Sequence, residues 1–294
     1  MRDEHWRVPA TVAAGVIAFV LIGLPGENAA LRQWIALGAV LAAAVVQVPG
    51  VFVRPKDADG SPVPIPRMTV VLFRELPFVL YGTMFFAFLF AGRFVALAAA
   101  SGTARSGIPG GGLPEHTLGL DLAVMSMLFA SAGVEYASVR FAYHLTAAKQ
   151  LASAGEPDAF RRAAGQIHLR ALAITAFTFV VTVTVVGTAA RLLLSGVAGE
   201  VWTMLVAADV AYFLLALGLL NALVLFTLHR PWSAINALTA GLAINLVIGY
   251  GLSRAFAQDF AALGMLTGAA FLAAASTMTV RRTLRRADQA VAMP

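Results

Sequence analysis

The sequence predicts an all-α polytopic bundle in a membrane, with about eight transmembrane helices and both termini in the cytoplasm. Three observations predict it. Hydrophobic residues make up 60% of the chain and charged residues 12%, against roughly 25% charged in a soluble domain. Mean hydropathy is +0.81, so the chain cannot cover its own surface in water and lipid must be the solvent for most of it. The basic residues fall on alternate connecting segments, as the positive-inside rule requires.

A span needs about 20 apolar residues. Runs of this kind cover 8–25, 33–50, 76–100, 119–143, 171–192, 201–227, 233–252 and 260–280. The first follows Arg2, Asp3, Glu4 and Arg7, a flank of mixed sign, and no small-residue cleavage site succeeds it, so it reads as an uncleaved anchor. The segments between runs carry breakers and charge: Arg54, Lys56 and the proline-rich 61–66, then Pro109 to Pro114, then the long 146–170 with Lys149, Arg161, Arg162 and Arg170. That last segment is expected to hold a short amphipathic helix around 158–166.

With the N-terminus inside, sixteen Lys and Arg residues fall on the cytoplasmic side: Arg2, Arg7, Arg54, Lys56, Arg67, Arg74, Arg140, Lys149, Arg161, Arg162, Arg170, Arg230, Arg281, Arg282, Arg285 and Arg286. Five fall on the other: Arg32, Arg93, Arg105, Arg191 and Arg254. The bias sets an even number of spans, N-in and C-in. It also accounts for the net charge of +6 without invoking nucleic acid. The expected organisation is two N-terminal transmembrane helices with a cytoplasmic loop over 1–67, then a six-helix lobe with a basic tail over 68–294.

Several function classes are disfavoured. The chain has no cysteine, which removes disulfides, thiolate metal sites and cysteine nucleophiles. His5, His116, His144, His168 and His229 are scattered with no HExxH spacing. There is no GxSxG, no Walker A loop, no HxxxD membrane pair and no paired aspartates at a loop mouth. No catalytic residue, cofactor or metal is expected.

Charge at membrane depth is expensive, so each case is a site candidate. In the fourth run Asp121, Ser131, Glu135 and Ser138 fall in one stripe at helical spacing, with Arg140 and His144 opposite. The stripe either faces a water-filled cavity or supplies hydrogen bonds and ion pairs that hold the bundle together. Asp209, with Tyr212 one turn later, presents the same choice, and Arg191 or Arg254 is its expected partner. Thr175, Thr178 and Thr182 form a weaker stripe that is expected to bond its own backbone. Arg93 is expected to reach headgroups, and Pro77 to kink its helix or start its membrane portion. Gly264 and Gly268 form a GxxxG close-packing signature, used within the chain or between copies, and Asn221, Asn236 and Asn245 read as interhelical hydrogen-bonding groups.

Three stretches carry a resemblance. Residues 75–93, running from Glu75 and Pro77 through Phe85 and Phe86 to Arg93, are similar to the seventh helix of the Pel-type exopolysaccharide transporters (PelG family) of the MOP flippase superfamily, with Gly92 where that family commonly has an acid. Residues 131–141, Ser131 through Glu135 to Phe141, resemble its eighth helix. Residues 219–232, Asn245, Arg254 and 263–270 resemble the closing helices of a lobe. The resemblance covers about 68–285 and implies a MOP-like half, with 1–50 as the last helix pair of a preceding lobe. It implies a bacterial inner-membrane protein that moves a glycan, with Asp121, Glu135 and Asp209 toward the substrate. Membrane lipids surround it, and a second copy or second membrane subunit is implied because one lobe cannot alternate access alone. The reading from another class is a non-transporting scaffold of a polysaccharide-secretion or envelope complex, in which the acids pair with arginines inside the chain.

Overall fold

A computed structural model describes residues 68–100, 115–154, 156–193, 199–256 and 260–285. The two helices expected within 1–67 lie outside the described residues, so six of the eight expected spans are observed. They are α1 (Met68–Ala100), α2 (Glu115–Ser153), α3 (Pro157–Leu193), α4 (Gly199–Thr227), α5 (Pro231–Ala255) and α6 (Ala261–Arg285). Each is long and apolar enough to cross a membrane. The described helices after Met68 belong to one compact unit.

One expectation is corrected. The segment 146–170 is not a loop with a short helix in it. α2 continues to Ser153 and α3 begins at Pro157, so a tight turn joins two unbroken helices. Ala147, Ala148, Lys149 and Gln150 are good helix formers and nothing stops the helix before residue 154. Glu156 N–H then bonds back to Leu151 O at 3.0 Å, and Pro157 opens α3, where its missing N–H costs nothing. Asp158 in the first turn of α3 complements the helix dipole and pairs with Arg161 at 3.0 Å. With 39 residues, α2 is about 58 Å long, well beyond a hydrocarbon core of about 30 Å.

The turn between α4 and α5 is equally specific. Arg230 N–H bonds Leu225 O at 2.8 Å and His229 N–H bonds Phe226 O at 3.0 Å, the paired closure of a Schellman cap. The position that glycine usually fills is His229, with φ of 54°. Pro231 then starts α5.

Phe78 of α1 stacks on Phe226 of α4, centroids 4.5 Å apart, and Asn221 of α4 bonds Thr277 of α6. The start of α1, the end of α4 and the end of α6 therefore lie together, along with the α2–α3 turn. Arg140, Lys149, Arg161, Arg162, Arg170, Arg230, Arg281, Arg282 and Arg285 lie toward this end of the bundle. Arg93, Arg191 and Arg254 lie toward the other.

α4 is the central helix. It is apolar on all sides, which suits burial, and it supplies Tyr212, Leu215, Leu220 and Leu225 to a core completed by Phe88, Phe141, Phe160 and Met265. The outer faces expose Phe73, Phe86, Phe129, Phe177 and Val247, each more than half open. An apolar belt of this extent belongs in lipid: the chain is a multi-pass membrane protein.

Small residues let the helices approach. A Cβ on Gly268 of α6 would strike Gly241 O of α5 and lie 2.8 Å from the Asn245 Cβ. One on Gly264 would strike the backbone of Gly249. The GxxxG signature is thus spent on α5 within the chain. Gly119 of α2 sits against Val201 O of α4, and Gly218 of α4 against Leu272 of α6, where an added Cβ would meet 2.6 and 2.8 Å contacts.

Candidate functional site

Toward the end opposite the α2–α3 turn, three helices bring polar groups together. Arg93 of α1 forms an ion pair with Asp121 of α2, and its guanidinium also lies over the Phe90 ring at 5.9 Å. The partner expected to be a headgroup is therefore a carboxylate of the same chain. Beside them Tyr212 of α4 donates its hydroxyl to Leu89 O of α1 at 2.9 Å, which satisfies a buried phenol. One turn before Tyr212 on α4, Asp209 is buried, with Ser126 of α2 beside it.

Asp209 is the most informative of the predicted residues. Its Oδ1 is buried with no hydrogen-bond partner among the described residues. The cations expected to pair with it do something else: Arg191 lies over the Trp202 ring and Arg254 over the Tyr250 ring, each at 5.7 Å. Asp209 lines a cavity of about 320 Å³ between α3 and α4, walled by Phe179, Val183 and Phe213. A carboxyl with one free oxygen in an apolar cavity can take up a proton or accept a hydrogen bond from a small donor.

The other three predicted residues lie further along α2. Ser131 donates to Leu128 O at 2.6 Å and Ser138 to Glu135 O at 2.8 Å, so both hydroxyls are engaged by their own helix. Glu135 is exposed on the outside of the six-helix unit, and no described cation pairs with it. The five residues thus do not converge. Asp121 and Asp209 belong to the α1–α2–α4 cluster, and Ser131, Glu135 and Ser138 to an outer face. Among the threonines of α3, Thr178 and Thr182 bond their own backbone at 2.9 and 2.8 Å, while Thr175 Oγ1 is buried without a partner.

A second polar cluster was not foreseen as a unit. His168 of α3 bonds Asn221 Oδ1 of α4 through Nε2 at 2.8 Å. Asn221 Nδ2 donates to Thr277 Oγ1 at 2.8 Å and to Ser276 Oγ at 3.3 Å, both on α6. Ser276 in turn donates to Leu272 O at 2.6 Å. With both amide protons committed, Asn221 Oδ1 must accept, so His168 carries its proton on Nε2. The only sequence signal was Asn221 itself, a polar residue in the middle of an apolar run.

Among the described residues no group of three His, Asp or Glu side chains could hold a metal ion. No protein-family model, no curated protein and no solved structure matches the chain.

Proposed function

We propose that this chain is one lobe of a flippase-type transporter that moves a polysaccharide or related glycan across a bacterial inner membrane, completed by a second copy or by another membrane subunit. The observation that carries the reading is Glu135. It lies 17 residues beyond Leu118, where the span of α2 begins, or about 26 Å along the helix axis, still inside a core of about 30 Å. It is exposed on the outer face, and no described cation pairs with it. A carboxylate at that depth needs water or a partner, and a second lobe against this face supplies a hydrated cavity. Tyr136 and Tyr143, also exposed on α2, offer the mixed apolar and hydroxyl surface that a sugar ring matches.

On this reading the basic end of the bundle faces the cytoplasm, by the positive-inside rule. Asp121 and Asp209 lie toward the opposite face, and the chain moves its substrate without chemical change and without a cofactor. The test is Glu135→Gln in an export assay with membrane level quantified. Loss of export at unchanged level supports the role, and full export removes it.

A specific observation also favours the scaffold reading. The Arg93–Asp121 pair closes within the chain, and the cavity at Asp209 is walled mainly by apolar side chains. A scaffold tolerates Glu135→Gln fully but still loses export when the chain is deleted.

A further inference from the structure

α2 and α3 do not end at the membrane surface. Arg140 is 22 residues from Leu118, the far end of the α2 span, and Arg170 is 22 residues from Leu192, the far end of the α3 span. Both stand about 33 Å along their helices, just past a core of about 30 Å. A further 13 residues take α2 to Ser153 and α3 back to Pro157. They carry the hairpin about 20 Å beyond the arginines, on the basic side, which the positive-inside rule makes the cytoplasm.

The projecting hairpin carries an apolar groove where a fully solvated one would carry polar residues. On α2 it is lined by Arg140, His144, Ala147 and Leu151, and on α3 by Ala163, Ile167, Arg170 and Ile174. Each set advances by three or four residues, so each is one helix face. The two faces enclose a cavity of about 430 Å³. From Ala137 at the membrane to Leu151 near the turn it runs about 21 Å. Phe141, Ala148 and Ala171 form a buried floor, while Ala147 and Leu151 are exposed at a level that lipid tails do not reach. The polar side chains in the lining are Arg140, His144 and Arg170, toward the membrane end. Among the described residues neither arginine pairs with a carboxylate; Arg140 lies over the Tyr136 ring at 5.8 Å.

We infer that this groove is a docking site for an amphipathic helix of a cytoplasmic protein. The helix is about fourteen residues long, matching about 21 Å. It presents apolar anchors at helical spacing and Asp or Glu at the end that meets Arg140 and Arg170. Shape selects a helix: a third helix laid along two helical faces closes the groove into a three-helix bundle. Charge selects its sign, because a carboxylate matches two guanidinium groups that have no internal anion. A second copy is a poor occupant, because in the same membrane it brings its own basic end to this level. A compact anion would neutralise the arginines but leave the apolar floor open to water. The inference rests on the orientation that the basic residues set, and it holds for the transport and the scaffold readings alike.

The probe is a labelled peptide of about fourteen residues, stapled into a helix because a free one this short is marginal in water. It carries leucines at i, i+4, i+7 and i+11 and glutamates in its first turn. The full chain in phosphatidylcholine nanodiscs is titrated with it and read by fluorescence anisotropy, against empty discs and against a peptide with lysines in place of the glutamates. The native chain is expected to bind the acidic peptide and not the basic one. Each arginine should contribute about threefold in affinity, so Arg140→Gln with Arg170→Gln should weaken binding about tenfold. Ala147 is exposed and lines the groove, so Ala147→Trp fills it without entering the core and should cause a similar loss at an unchanged thermal midpoint. Arg281→Gln with Arg282→Gln, at the same end of the bundle but outside the groove, should retain binding. A benzophenone side chain placed at position 151 should photolink to the bound peptide. Any of these results overturns the site: no binding above empty discs, equal binding of the two peptides, affinity kept in the Arg140/Arg170 variant, or equal loss in the Arg281/Arg282 variant. So does a photolink from position 151, without peptide, to residues 1–67 or 286–294 of the same chain, to a second copy or to lipid.

Discussion

His168 and Asn221, 53 positions apart in the chain, meet at 2.8 Å in the protein interior, and the asparagine carries the link on to Ser276 and Thr277. One amide therefore fastens three membrane helices. Asn221→Leu keeps the branched shape, with some added bulk, but strands the imidazole N–H and the Thr277 hydroxyl. The expected cost is about 1–2 kcal/mol, read as a lower thermal midpoint in detergent. An unchanged midpoint would mean that the stranded groups find other partners.

The contact between α5 and α6 gives a second, sharper contrast. Gly264→Ala and Gly268→Ala place a methyl against backbone, which cannot swing aside, so each should cost about 1–3 kcal/mol. A Cβ on Gly251, also on α5, meets nothing within 4 Å. Gly251→Ala should be neutral or stabilise the helix by about 0.5–1 kcal/mol. Equal effects of the three substitutions on unfolding would refute the seam.

His229 occupies a left-handed backbone position at the end of α4. His229→Gly relieves strain of about 1 kcal/mol and should not lower stability. His229→Val, β-branched at the same φ, should lower it by about 1–2 kcal/mol. Chemical unfolding in mixed micelles separates the two, and a more stable valine variant would mean that the cap geometry is not retained.

Arg93 and Asp121 pair across α1 and α2. Reversing one charge alone, Arg93→Asp or Asp121→Arg, sets like charges together and should reduce the folded yield in membranes. The exchange of both should recover most of it. Failure of the double exchange to exceed either single variant would show that the pair contributes nothing.

How far the fold could be read from the sequence follows from what an apolar run does and does not encode. Runs of about twenty apolar residues mark where lipid surrounds a helix, and the expected 201–227 coincides with the observed Val201–Thr227 span. They do not mark where a helix stops. α2 continues past the membrane because helix formers follow its apolar stretch, and the absence of a glycine or proline between 142 and 154 was the available signal, whereas α3 begins well before its apolar stretch and stays helical through Gly165. Polar partners are harder still. The GxxxG of α6 was visible, but its counterpart on α5 is Gly241, Asn245 and Gly249, a spacing that names no motif. That Arg93 rather than Arg191 or Arg254 would neutralise an acid, and that the acid would be Asp121, depends on helix rotation, which residue spacing alone leaves open.

The seam between α5 and α6 has a mechanical meaning. Where two helices touch backbone to backbone, no side chain lies between them to change rotamer and let one slide past the other. The pair must travel as a single stiff plank. α1, by contrast, is tied down by ring contacts at Phe78 and Tyr81, a sulfur contact at Met84, the Tyr212 bond to Leu89 and the Arg93–Asp121 ion pair. Such joints re-form after small shifts, so any flexing of this six-helix body is concentrated at α1.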